Sequence, residues 1–327
     1  MSNQTRIGDS ILEASHLLKN GELVAIPTET VYGLAANGLN SEACTEIFKV
    51  KNRPFFDPLI LHIGNKDDLN ALVNEIPEHY IPLINKFWPG PLTLLLPKKD
   101  SISDRITAGK SNVAIRIPSH PIAQDLLKKI DFPLVAPSAN RFKHISPTMP
   151  SHVFDSLGAE VPIIDGGECK LGLESTIVGF EDNGRPVVYR QGSISLESLQ
   201  EVLPETYLLH QRSNAEESIV APGMIKRHYA PNTPLRIVDS IEKHLEEFGS
   251  TNKIGVIYKA ETKTHKLATQ TIALSRGGNL SEIAEKLYAT FHQLDKQNLD
   301  YLIIERFENI GLGRTLNDKI TRASCED

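Results

Sequence analysis

Apolar residues at helical spacing open the chain. Ile11, Leu12, Ala14, Leu17 and Leu18 share one face after Asp9 and Ser10, which can cap, and Asn20-Gly21 ends that helix. The run Leu23-Val24-Ala25-Ile26 reads as a short buried strand. It runs directly into Pro27-Thr28-Glu29-Thr30-Val31-Tyr32-Gly33, so a rigid strand end delivers three polar side chains into a turn. Ser41 caps a second helix with Ala43, Ile47 and Val50 on one face. That helix stops before Pro54, because the residue preceding a proline disfavours the helical region. Further apolar runs at 59–63, 92–96, 113–117, 134–136, 162–165, 175–180 and 186–189 read as strands, and Leu196–Val202 as a short helix. Strands and helices mix without strict alternation, which points to an α/β fold with an open mixed sheet.

The pattern breaks at residues 204–233. Pro204, the polar run Gln211–Ser218, Pro222-Gly223 and Pro231 leave little regular structure, so this stretch reads as a linker. Residues 1–203 are then one domain and 234–327 a second. In the second, strands at 235–238, 254–258 and 301–304 alternate with helices at 241–248 and 280–294, the pattern of a small parallel α/β domain.

Composition adds limits rather than a function. The 327 residues are 40% hydrophobic and 23% charged, ordinary for a soluble globular protein of two domains. A net charge of −6 argues against a protein that coats nucleic acid. Cys44, Cys169 and Cys325 are far apart and form no CxxC, so the expectation is a reducing cytoplasm, with no disulfide framework and no zinc site. The N-terminus has no basic region followed by an apolar one, and no apolar run reaches about 18 residues, so neither a signal peptide nor a membrane association is expected.

The chemistry concentrates at strand and helix ends. Lys49, Lys51 and Arg53 close the second helix. Asn112 and Arg116 flank a strand. Ser138 and Asn140 follow another, Glu174-Ser175-Thr176 opens a third, and Arg190 ends a fourth. Each alone reads more readily as structure than as a site: cations complement a helix C-terminus, and Ser-Ala-Asn is a common turn. Together they resemble a pocket for a polyanion such as ATP. No P-loop, GxGxxG, HExxH or GxSxG is present, and no histidine pair has metal-ligand spacing.

Five ordered motifs carry a resemblance: Pro27–Leu34, Lys51-Asn52-Arg53-Pro54, Trp88–Thr93, Pro137-Ser138-Ala139-Asn140 and Leu173–Ile177. Together the chain resembles the Sua5/YciO/YrdC family, and Ala221–Met224 with His228–Pro231 resemble the linker of its two-domain branch. The resemblance implies a YrdC-like open, mixed, twisted sheet followed by a smaller Rossmann-like α/β domain. It implies a nucleotidyltransferase that makes threonylcarbamoyl-AMP and pyrophosphate from L-threonine, bicarbonate and ATP, with Mg²⁺ accompanying the nucleotide. The adenylate would pass to a downstream threonylcarbamoyl transferase that makes t6A in tRNA, so any contact with tRNA is indirect.

The same resemblance implies residue roles. Lys51 and Arg53 would neutralise phosphate and carboxylate. Thr30, His62, Arg116 and Ser175 would hold threonine, with backbone groups of Ala136 nearby. Arg53, Asp57, Asn112, Ser138, Asn140, Ser146 and Arg190 would hold ATP, and His228 and Tyr229 would fold over it as a lid. No resident metal ligands are implied. Two other readings stay open: an RNA-binding protein of the same fold without catalysis, and a carbamoyl-transfer module. The match of the linker and second domain speaks against the first. The absence of zinc-finger and acylphosphatase segments speaks against the second.

Overall fold

A computed structural model describes residues 6–8, 10–181, 183–209, 220–248, 251–261 and 265–325. Asp9 and the polar run Gln211–Ser218 lie outside the described residues. The first part of the chain builds one sheet from β1 (Arg6–Gly8), β2 (Val24–Ile26), β3 (Gly33–Asn37), β4 (Ile60–His62), β5 (Leu92–Pro97), β6 (Asn112–Arg116), β7 (Leu134–Val135), β8 (Ile163–Ile164), β9 (Thr176–Phe180), β10 (Pro186–Arg190) and β11 (Tyr207–Leu208). Their order across the sheet is β1-β8-β2-β3-β7-β4-β6-β5-β9-β10-β11. The pairs β4–β6 and β5–β9 are parallel, while β2–β3, β3–β7, β4–β7 and β5–β6 are antiparallel. The sheet is therefore mixed.

Local chemistry explains the element ends. Ser10 Oγ accepts from the Glu13 amide and starts the helix Ile11–Lys19. The second helix, Ser41–Lys51, is capped by Asn40 rather than Ser41: Asn40 Oδ1 accepts from the amides of Glu42 and Ala43, both at 3.0 Å. It ends at Asn52 in the left-handed conformation, φ 53°. Strand β3 does not follow from the apolar pattern, because Gly-Leu-Ala-Ala-Asn has no β-branched residue. Pairing with β2 and β7 makes it a strand. Tyr207–Leu208, expected within the linker, pairs in parallel with β10 and extends the sheet.

The second part forms a smaller parallel sheet of β12 (Leu235–Val238), β13 (Ile254–Tyr258), β14 (Gln270–Ala273) and β15 (Tyr301–Glu305), in the order β12-β15-β13-β14. Its core does not end at its own residues. Val31, Ile145, Leu173 and Tyr229 pack in one buried cluster with Leu287, Tyr288 and Phe291 of the helix Leu280–Leu294. At this junction Gly172 has φ +66°, and a Cβ there would stand 2.5 Å from Ala284 O. Only glycine meets both demands, so the two parts approach backbone to backbone.

Candidate active site

Strand register gathers the polar ends. His62 on β4 pairs with Arg116 on β6, and Arg116 pairs with Thr93 on β5. Leu92 pairs with Thr176, so Ser175 enters β9 beside that row. On the other side, Gly33 bridges to Ser138, which brings the 27–33 turn against the turn after β7. The result is one cavity whose wall includes Thr30, Arg53, His62, Arg116, Ala136, Ser138, Ser175, Arg190, His228 and Tyr229. Segments far apart in sequence contribute to it, and so does the linker.

Arg116 is the most constrained of these groups. Its Nη2 lies 2.7 Å from Glu29 Oε1, Nη1 donates to Thr30 Oγ1 at 2.9 Å, and Nε donates to Gly90 O at 3.2 Å. Burial would push the Glu29 carboxyl up, but the charge and hydrogen bond of Arg116 bring it below its usual value. Thr28 Oγ1 donates to Val31 O at 2.7 Å and accepts from the amides of Thr30 and Val31, which fixes the turn. His62 lies beside them. Burial, then the Arg116 charge, push its imidazole down to about 3, so it stays neutral at physiological pH.

Arg53 and Arg190 form the cationic half. Arg53 Nη2 is 3.0 Å from Asp57 Oδ2 and donates to Pro58 O at 2.6 Å. Arg190 meets only neutral oxygens among the described residues: Ser175 O from Nε and Nη2, Ser175 Oγ at 2.9 Å, and Pro222 O at 3.3 Å. It is a fixed cation with no carboxylate pair in the described structure, as an anion site requires. Ser175 Oγ also shares a 2.7 Å hydrogen bond with Thr93.

Other expected residues occupy different positions. Lys51 is buried and outside the cavity wall: Nζ donates to Ser138 O and Asn140 O, both at 2.5 Å. Burial, then Arg53, push its ammonium well below the ordinary lysine value. Its Nζ holds the turn that presents Ser138. Asn140 braces the same turn, donating from Nδ2 to Arg141 O and His144 O. Asp57 is fully buried beneath Arg53 and does not face the cavity. Ser146 is likewise buried off the wall, donating to Glu174 Oε1 at 2.6 Å. Asn112 opens β6, exposed and away from the wall, because Arg116 stands at the other end of that strand.

Glu174 is the acidic residue of the wall. Its Oε2 accepts from Tyr288 Oη at 3.0 Å, a residue 114 positions later. The acidic turn is visible in the sequence, but its partner is not. Among the described residues no group of three or more His, Cys, Asp or Glu side chains could hold a metal ion.

Residues 16–192 match the family model described as Telomere recombination (Sua5_yciO_yrdC), and residues 194–325 match that of the Threonylcarbamoyl-AMP synthase, C-terminal domain. The chain is 36% identical to the threonylcarbamoyl-AMP synthase of Bacillus subtilis over 321 residues, covering 96% of this chain and 92% of that protein. It is also 36% identical to the Pyrococcus abyssi synthase over 323 residues, covering 95% and 93%. The crystal structure of P. abyssi Sua5 complexed with L-threonine superimposes with a TM-score of 0.88 at 36% identity, covering 98% of this chain and 96% of that one. The structure of a P. abyssi Sua5 variant, with a neighbouring histidine and tyrosine both replaced by alanine, gives a TM-score of 0.87 at 33% identity, covering 99% and 96%. With both family models matched in order and relatives aligned along nearly its whole length, this chain belongs to the two-domain, Sua5-type branch of the Sua5/YciO/YrdC family.

Proposed function

We propose that the cavity is where threonylcarbamoyl-AMP is assembled. The chain is a threonylcarbamoyl-AMP synthase: L-threonine, bicarbonate and ATP give threonylcarbamoyl-AMP, pyrophosphate and water. The observation that carries the assignment of the site is the convergence of Arg53, Arg116 and Arg190 with hydroxyls of Thr30, Ser138 and Ser175 on one enclosed space.

The reaction joins anions. The neutral threonine amine attacks the bicarbonate carbon, hydroxide leaves and is protonated to water, and the carbamate oxygen then attacks the α-phosphorus as the P–O bond to pyrophosphate breaks. Fixed positive charge lowers the cost of bringing carbamate to phosphate. Arg116 and Thr30, set by Glu29, are suited to the amino-acid carboxylate and side chain. His62, neutral, adds no competing charge. Ser175 lies between the two halves. Arg190 and Arg53 face the phosphates, and Ser138 orients them. Lys51, Asn140, Asp57 and Ser146 act behind the wall, by holding Ser138, Arg53 and Glu174 in place. On this reading Mg²⁺ comes with the triphosphate as part of the substrate, since the ion is bound through substrate phosphates in many nucleotide sites.

His228 and Tyr229 complete the cavity, which encloses about 50 Å³, well below the roughly 300–1,000 Å³ of small-molecule sites. On this reading the linker opens to admit ATP and closes to exclude water from the adenylate. The product supplies a transferase that modifies tRNA, and the three free cysteines suit a reducing cytoplasm. The test is direct: incubate pure protein with ATP, Mg²⁺, L-threonine and bicarbonate, and follow pyrophosphate. Release that ignores the omission of threonine or bicarbonate sinks the reading.

A further inference from the structure

The linker is held over the cavity by the second domain rather than by its own contacts alone. Helix Gly311–Ala323 places Lys319 and Arg322 one turn apart on a face turned toward residues 225–229. Arg322 donates to Ile225 O from Nε at 3.1 Å, and its own carbonyl accepts from the His228 amide at 3.2 Å. Its guanidinium lies 5.0 Å from the centre of the Tyr229 ring. Tyr229 itself has φ +65°, a left-handed conformation that a bulky residue keeps only when its surroundings impose it.

Lys319 is the centre of this arrangement. It is 0% exposed, although lysine is rarely buried unless paired. Nζ donates to Gln191 O at 2.7 Å, the residue directly after Arg190. It lies 3.4 Å from Tyr229 Oη, 4.7 Å from the ring centre, 3.2 Å from Asp318 Oδ2 and 3.8 Å from Glu174 Oε2. One buried cation thus touches the lid, the wall carboxylate and the backbone that carries the phosphate-facing arginine. Tyr288, from a different helix of the second domain, hydrogen-bonds the same Glu174 oxygen.

We infer that Lys319 is a positioning residue for the reaction: its ammonium, shared between Glu174 and Tyr229, locks the closed linker onto the nucleotide side of the cavity. The second domain then contributes to ATP binding without touching ATP. The threonine side stands apart from this lock, since Thr30, Glu29, His62 and Arg116 are fixed by contacts within the first domain. The inference rests on the reading of the linker as the cover of the nucleotide.

Its signature is a split between substrates. In the full chain, Lys319→Met removes the charge and keeps most of the bulk. KM for ATP should rise by about tenfold, as expected for a lost charged contact, while KM for threonine stays within about twofold. Trypsin should also cleave faster after the exposed Lys226 of the linker. A folded Lys319→Met protein with unchanged KM for ATP, or with both KM values raised in parallel, overturns the inference. Should that variant fail to fold, Tyr288→Phe decides: it removes only the hydroxyl on Glu174 and should raise KM for ATP alone, by about threefold, and an unchanged value is fatal. Tyr229→Ala separates the two readings. If it too leaves KM for ATP unchanged, the linker is not the cover. If it raises KM and Lys319→Met does not, only the lock is wrong.

Discussion

Arg116 and Glu29 form a buried ion pair, Nη2 to Oε1 at 2.7 Å, and the same guanidinium reaches Thr30. The pair ties the turn after β2 to the end of β6. Removing one partner leaves an uncompensated charge in a dry place, which costs about 3–5 kcal/mol. Glu29→Gln is therefore expected to lower the unfolding free energy by about 3 kcal/mol in urea titrations. It should also raise KM for threonine more than KM for ATP, because the displaced arginine belongs to the amino-acid side. Equal effects on both substrates would contradict the division of the cavity proposed above.

Lys51 presents a different case. Its ammonium meets carbonyls of Ser138 and Asn140 instead of the cavity. Lys51→Met leaves the buried Asn140 carbonyl without a donor, which costs about 1–3 kcal/mol, and removes one of the two donors on Ser138 O, which keeps the Asn140 amide. The expected outcome is a less stable protein whose kcat falls, because Ser138 is no longer held, with little change in KM for threonine. A variant with native stability and lost activity would show instead that the ammonium meets substrate.

The elements and the residues differ in how far the sequence reveals them. Strands β2, β4, β5 and β6 announce themselves as apolar runs, and Thr30, His62, Arg116, Ser138, Ser175 and Arg190 stand at or near strand ends, where a site is expected. The residues behind them are a matter of pairing over long distances. Nothing local marks Glu29 as the partner of Arg116, or Glu174 as the meeting point of Ser146, Tyr288 and Lys319. Lys319 sits in an amphipathic helix near the C-terminus and reads as a surface residue until the two domains are placed together. Asn112 shows the reverse: its position in the strand is legible, but its direction away from the wall is not.

Gly172 tests how closely the domains must fit. Its positive φ and the 2.5 Å approach of a notional Cβ to Ala284 O leave no room for a side chain. Gly172→Ala is expected to cost about 1–3 kcal/mol by forcing the helix Leu280–Leu294 outward. Tyr288 would withdraw from Glu174 with it. Differential scanning calorimetry should show a lower Tm. Limited proteolysis should show the linker cut before either domain.

Acid sensitivity follows from histidines buried in the neutral state. His62 is held at about 3, His152 at about 3 and His292 at about 4, in each case by burial first, against a usual value of 6.5. His152 and His292 stack across the domain junction with ring centres 3.9 Å apart, and His292 is bonded through Nε2 to Ser146 O. Below about pH 6.5 the unfolded chain takes up protons at these sites and the native protein does not, so stability present at neutral pH is lost as pH falls. Each site contributes a slope of at most about 1.4 kcal/mol per pH unit until its own folded value is reached. Urea midpoints should therefore drop steadily from pH 7 to pH 5. His292→Gln should flatten the decline by up to one site's share and leave the behaviour above pH 7 unaltered in slope. A wild-type midpoint independent of pH over that window would mean that these imidazoles are already solvated or charged in the native protein.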